Sequence, residues 1–473
     1  MSGAAGKGTT ALVLAGGGTK GSFEAGALRY LIGIERIVPD IITATSAGAI
    51  AASVLAQART YPEFAQRVEE VDDDVLAMTR GDQVFGQQAW LRALEGTTLG
   101  GAIRLGLTRG TRPVVPPLQM DGLDGVAAAI APDPPAPRSP RRAARRDRRR
   151  RRRQVQRLVA GAAVRLPRAR RKLRTSGSAV LNLTPLANAL RQGGPSGIHR
   201  VEPGLIARPG LQLRLAVTAL RAGALRYVTQ DGTIVEDDAV TPAPGASAGP
   251  VDVLDGVIAS ASVPLVFPPR RLADDDYVDG GVLQVVPVRA AAQLGASRII
   301  AVLAVPLRIE REERNYAEDN AANIGLRALG AIALTERQRE NLDVALPPGA
   351  TLVTIDPVVD VVGYFEVEPG LLRINKDYGW LRAADVMAEG DATMLAGVAA
   401  GTHRLTEARL QAWHVEESVC VSGRIVDADA GTVALLRELK RQVREIVEQR
   451  KQLGFPVPDG AEAWWSGYEM HNH

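Results

Sequence analysis

Near its N-terminus the chain alternates twice between an apolar run and a helix-forming stretch, with a tight turn of small residues after each run. Ala11-Leu12-Val13-Leu14-Ala15 ends at glycines and reads as a buried strand. Phe23 to Leu31 reads as a helix. Ile41-Ile42-Thr43-Ala44-Thr45 is a second buried strand, rich in β-branched residues. Gly48 to Ala58 reads as the next helix, its small residues permitting close packing. This order points to a parallel sheet covered by helices, because parallel neighbours are joined by crossover helices and such sheets are buried on both faces.

The rhythm is lost from about residue 72 to 180. Proline and glycine are frequent there, and ten of the thirteen residues from Arg141 to Arg153 are arginine. That composition reads as an exposed insertion, with a solvated charged segment and a partner-binding one equally in play. The sheet is predicted to resume at Leu211 to Thr218. A short helix with a proline-rich turn follows over Val257 to Pro269, then Asp279-Gly280-Gly281, a helix around Val288 to Leu294 and a strand from Arg298 to Val305. Beyond Pro306, helices are expected over Ala321 to Asn341 and Gly431 to Gln452, and a strand over Ala350 to Ile355.

A chain of 473 residues exceeds one small domain. Its net charge is only +4, so the arginine block is a local feature that bears on a partner or surface and not on the fold. Cys420 is the single cysteine, which excludes an intrachain disulfide. The N-terminus lacks the pattern of a secretion signal, and no run has the ~20 apolar residues that span a bilayer. The expected location is cytoplasmic or peripheral to a membrane.

Three segments carry chemistry. Gly16-Gly17-Gly18-Thr19-Lys20-Gly21 joins a strand to a helix, exposing backbone N–H groups where the helix field favours negative charge. Such a loop binds a nucleotide phosphate, forms an oxyanion hole, or is only a tight turn. The order Lys20-Gly21-Ser22 is not that of a P-loop. A dinucleotide site would want an acidic residue at the end of the second strand, where Thr45-Ser46 stands instead. Ser46, in Ala44-Thr45-Ser46-Ala47-Gly48, lies on a strand-to-helix turn that projects a hydroxyl above a sheet. Taken alone, a serine there is more often a helix N-cap than a nucleophile. A nucleophilic serine needs a base. The five histidines (His199, His403, His414, His471 and His473) lie in no segment resembling a catalytic loop. Asp279 is the better candidate, although Asp-Gly is also a common turn signature. The neighbouring Asp274, Asp275 and Asp276 read as a solvated acidic run.

With these residues in hand, the chain resembles the patatin-like phospholipase family. The glycine loop with Lys20 and Gly21, the Ser46 turn closed by Gly48, and Asp279-Gly280-Gly281 match its three motifs. Ala259 to Pro269 matches its Ala-Ser-x-x-x-Pro-x-x-Phe-x-Pro stretch, and Pro287 sits where the family often has proline. The one departure is Ala44 where Gly-x-Ser-x-Gly begins with glycine. The resemblance covers about residues 8–306, with the insertion at about 80–178 excluded. Residues 307–473 form a C-terminal extension that is expected to complete the α/β domain in part and to end in a helix. The resemblance implies a three-layer α/β/α sandwich with a mostly parallel central sheet. It also implies ester hydrolysis by a Ser46–Asp279 dyad, with Gly16, Gly17 and Gly18 forming the oxyanion hole.

No metal or cofactor is needed for that chemistry. The expected substrate is a phospholipid or another lipid ester. Arg141 to Arg174 would draw an anionic membrane surface, and no nucleic acid is expected because aromatic interleaving is missing. Two rivals stand beside this reading: a non-catalytic lipid-binding or regulatory scaffold of the same fold, and a nucleotide-binding oxidoreductase.

Overall fold

The computed structural model describes residues 8–87, 179, 181–194, 197–244, 249–309, 311, 316–318, 324, 326–421, 424–425 and 429–468. All of them belong to one compact unit. The arginine block lies outside the described residues.

Nine described strands form one sheet. Strand β1 (Thr10–Leu14) is central. It pairs in parallel with β2 (Ile41–Ala44) on one side and with β8 (Arg298–Val302) on the other. β2 pairs in parallel with β3 (Gln212–Ala219), and β8 with β9 (Thr351–Ile355). The antiparallel strands β4 (Ala224–Thr229) and β5 (Ile234–Val235) extend the sheet past β3. β7 (Asp275–Asp279) is antiparallel to the end of β3 and to β6 (Arg270–Leu272).

The parallel strands are apolar on both faces because helices cover both. Ala11, Val13 and Ala15 share a buried cluster with Ile299, Ala301 and Leu303, with α6 (Val288–Gln293) and with Leu334 and Leu342 of α7 (Ala333–Leu342). Leu12 and Leu14 alternate to the opposite face, the side of α1 (Ser22–Gly33), α2 (Ala47–Leu55), α3 (Tyr61–Ala77) and α8 (Pro369–Met387). Within this second layer α1 packs closely on α8. A Cβ on Gly26 would lie 1.7 Å from the Lys376 carbonyl oxygen, so only glycine admits that backbone contact. Asp72 of α3, itself buried, joins three helices by accepting Arg29 at 2.7 Å and Lys376 at 2.8 Å.

The strands expected from sequence appear within a few residues of their expected limits, and β9 extends the same sheet as β1. Three long described helices carry no expectation above. α3 starts with a capping box, in which the Thr60 N–H donates to Glu63 at 3.0 Å, and buries Phe64, Val68, Val71 and Val75 at helical spacing. α8 and α9 (Ala392–Val419) bury many charged and small residues, which blurs their apolar stripe. Of the helix expected over Ala321 to Asn341, Ala333–Leu342 is α-helical and Leu326–Ile332 forms a wider π-helical stretch, while residues 321–323 and 325 lie outside the described residues. One reading is corrected. Asp275 is a buried acceptor in β7, taking the N–H groups of Arg221 at 2.9 Å and Ala222 at 3.1 Å. The turn after β3 needs a carboxylate there, and so this residue is not part of a solvated run.

Candidate active site

β2 stops at Ala44, opposite Leu215 of β3. The chain then turns through Thr45 and Ser46 into α2. Further along the same strand, Val217 is paired with Asp279 at the end of β7. Ser46 and Asp279 are therefore delivered to one level of one strand from remote parts of the sequence.

Ser46 is buried and has φ 54° and ψ −120°. A non-glycine residue in this region costs on the order of 1–3 kcal/mol and persists only where its surroundings fix it. Here Ser46 N–H donates to Ser260 Oγ at 3.0 Å. Thr45 N–H donates to Leu14 O at 3.1 Å, and Gly48 N–H to Ala15 O at 3.2 Å. Thr45 Oγ1 donates to Gln284 O at 3.0 Å. Ser46 does not cap α2 with its side chain, which leaves the hydroxyl for other work.

Asp279 is held equally firmly. Its N–H donates to Ser262 O at 2.9 Å, and its carbonyl accepts Thr218 Oγ1 at 3.0 Å. Oδ1 accepts Gly281 N–H at 2.7 Å. Gly280 O accepts the N–H groups of Leu283 at 3.0 Å and Gln284 at 2.7 Å, closing the turn. Oδ2 is buried without a hydrogen bond of full geometry. Burial pushes this carboxyl up to about 7, while the Ser46 hydroxyl and the Gly281 N–H pull the other way by favouring the anion. A base near 7 is far better matched to a serine hydroxyl than an ordinary aspartate.

In the glycine loop, Gly16 N–H donates to Val285 O at 3.1 Å, so the first of the three glycines is already committed. The N–H groups of Gly17 and Gly18 have no acceptor among the described residues, nor does that of Ala47 at the start of α2. Ala47 is absent from the sequence-derived set. The signal for it was the turn itself, since the residue after a nucleophile on such an elbow commonly lends its N–H. Gly18 has φ 59°, and a Cβ there would lie 2.2 Å from Tyr364 O. Only glycine fits.

Lys20 does not face the loop's free donors. It is buried, paired with Asp360 and set 4.7 Å from the centre of the Tyr364 ring. Gly21 leads into α1, whose Glu24 is fully buried beside it and driven well above the usual carboxylate range by desolvation. Desolvation thus disfavours a negative charge on Glu24 behind the loop.

No sequence motif announces Asp360, Gly363, Tyr364 or Asn375, yet all of them hold the loop. Thr19 N–H donates to Tyr364 O at 3.0 Å, Thr19 Oγ1 donates to Gly363 O, and Asn375 Nδ2 donates to Lys20 O at 3.1 Å and Ser22 Oγ at 2.8 Å. Phe365, which follows Tyr364, meets Phe85 and Phe267 edge-on while those two stack on each other, the ring centres lying 5.8–6.0 Å apart. Among the described histidines, His199 is paired with Asp74, His403 packs on Tyr378 and His414 on Trp413. No group of three or more possible metal ligands occurs among the described residues.

The sequence model of a family described as patatin-like phospholipase matches residues 12–292. Among solved structures, VipD from Legionella pneumophila is 14% identical, with 97% of this chain and 83% of that chain covered and a TM-score of 0.28. The type III effector protein ExoU is 16% identical, with 97% and 74% covered and a TM-score of 0.24. A search of curated proteins finds no match.

Proposed function

The chain belongs to the patatin-like phospholipase family, and from that premise we propose that it is a lipid acyl hydrolase of the phospholipase A type working through Ser46 and Asp279. The observation that carries this reading is the strained Ser46 beside a buried aspartate whose Oδ2 has no other partner.

Ser46 Oγ attacks the ester carbonyl carbon as its proton passes to Asp279. The charge that develops on the carbonyl oxygen is received by the N–H groups of Gly17, Gly18 and Ala47. Gly16, Lys20, Gly21, Gly48, Gly280 and Gly281 shape and anchor these parts. Collapse of the tetrahedral intermediate breaks the bond to the alcohol oxygen, which takes the proton from Asp279 and leaves. Water then attacks the acyl-serine with Asp279 again as base, releasing the fatty acid and restoring Ser46.

No described helix is long and apolar enough to cross a membrane. Arg141 to Arg174 would draw the enzyme to anionic lipid at ~1 kcal/mol for each basic residue near the surface. Removing residues 138–174 is expected to weaken binding to anionic vesicles.

The test of the activity is fatty-acid release from mixed phospholipid vesicles by wild type and by Ser46→Ala, with fluorophosphonate labelling in parallel. Release and labelling that both vanish in the variant support the dyad. A folded wild type that neither releases fatty acid nor labels would leave a non-catalytic lipid-binding scaffold.

A further inference from the structure

Leu265 is the most exposed large hydrophobic residue among the described ones, at 81%, and it has φ 71°. A branched side chain in the left-handed region is strained, and here no burial compensates for it. Its loop is not remote from the chemistry. On one side Ser260 Oγ accepts the Ser46 N–H and Ser262 O accepts the Asp279 N–H. On the other side Phe267 packs into the aromatic trio with Phe85 and Phe365. Leu283, two residues beyond Gly281, is also exposed, at 40%.

We propose that the Leu265 loop is an interfacial anchor that enters the surface of an anionic lipid bilayer beside the mouth of the active site. The occupant follows from what surrounds the loop. Leu181 N–H donates to Val266 O, and Leu181 pairs with Gln87. Both ends of the arginine-rich stretch between residues 87 and 181 therefore depart next to Leu265. An exposed leucine flanked by the departure points of a strongly basic segment matches an apolar layer beneath anionic headgroups. A protein partner for the same loop would not call for that concentration of arginine. This inference rests on the lipid-hydrolase reading for its substrate, but the anchoring itself needs no catalysis.

The test is therefore made on catalytically silent full-length protein. Ser46→Ala and Ser46→Ala/Leu265→Gly are compared for binding to vesicles of phosphatidylcholine and phosphatidylglycerol. Glycine suits the positive φ, so the second variant is expected to keep the same thermal midpoint or a higher one. Loss of one buried leucine from the lipid predicts binding about tenfold weaker or more. Binding equal within about twofold overturns the anchor, whatever the hydrolysis assay gives. Leu265→Trp supplies an independent reading. Quenching of its added emission by brominated lipid is expected, and emission that stays unquenched overturns the proposal.

Discussion

The segment from Thr10 to Ala58 and the segment from Asp356 to Lys376 meet at the same loop and contribute different things to it. The first brings Ser46 and the unengaged N–H groups of Gly17, Gly18 and Ala47. The second brings no reactive group. It grips the loop through Asp360, Gly363, Tyr364 and Asn375, and it lies beyond the matched residues 12–292. On the proposed reading, the attacking group and the rigidity of its loop are written in separate stretches of the chain, and of these two only the first carries a motif. Variants on the two sides should fail in different ways.

The largest effect is expected at Asp279, the proposed base that a third stretch sets beside Ser46. Asp279→Asn should lower ester hydrolysis by about 10²–10⁴-fold, measured as initial rates. Because burial holds the wild-type carboxyl up to about 7, the rate should rise as pH climbs through that value and level off above it. A profile with no inflection between about 6 and 8 would deny Asp279 the role of base. Stability has the opposite sign. A carboxyl raised from 3.8 to about 7 contributes fully below its unfolded value and loses that contribution as pH rises through about 7. Asp279→Asn should therefore gain stability relative to wild type at pH 8, on the order of 2–4 kcal/mol, by denaturant titration.

Next comes the point where the two segments touch. Gly18→Ala forces a Cβ against Tyr364 O and retains a positive φ, at a cost of about 2–4 kcal/mol together with most of the activity. A thermal midpoint unmoved by this change would mean that the C-terminal grip is loose.

Asp360→Ala touches the gripping side alone. It strands the buried Lys20 ammonium, and since Asp360 is 38% exposed the cost is about 1–2 kcal/mol, with fluorophosphonate labelling of Ser46 retained. Loss of labelling at unchanged stability would move Lys20 into the chemical set. The smallest effect belongs to Ser46→Gly, which should stabilise the inactive protein by about 1 kcal/mol by relieving the turn. A fall in stability would show that the serine hydroxyl helps to hold the elbow.

How much of this was legible follows the same division. β1, β2 and the Ser46 turn declared themselves because a strand buried on both faces is a continuous apolar run, and the turns between such strands and helices need small residues. Asp279 was legible as a motif, but its delivery was not. β7 is short, with three acidic residues in five, and its pairing with β3 is a long-range fact with no local signal. The fate of the Gly16 N–H depends on Val285, remote in sequence. Asp360 and Tyr364 act through a buried ion pair and a backbone carbonyl, and a carbonyl leaves no mark on the side-chain pattern.

β2 ends early, and β7 takes up the strand edge that β2 leaves. That hand-over sets which length changes the protein can absorb. The turns after β4 and β5 can lengthen or shorten without shifting Asp279, since its pairing with Val217 does not depend on the path taken to reach it. One residue gained or lost within Asp275–Asp279 is another matter. Successive side chains of a strand point to opposite faces, so such a slip would turn the carboxylate away from Ser46. Natural length variation should therefore be found in the hairpins and not in those five positions.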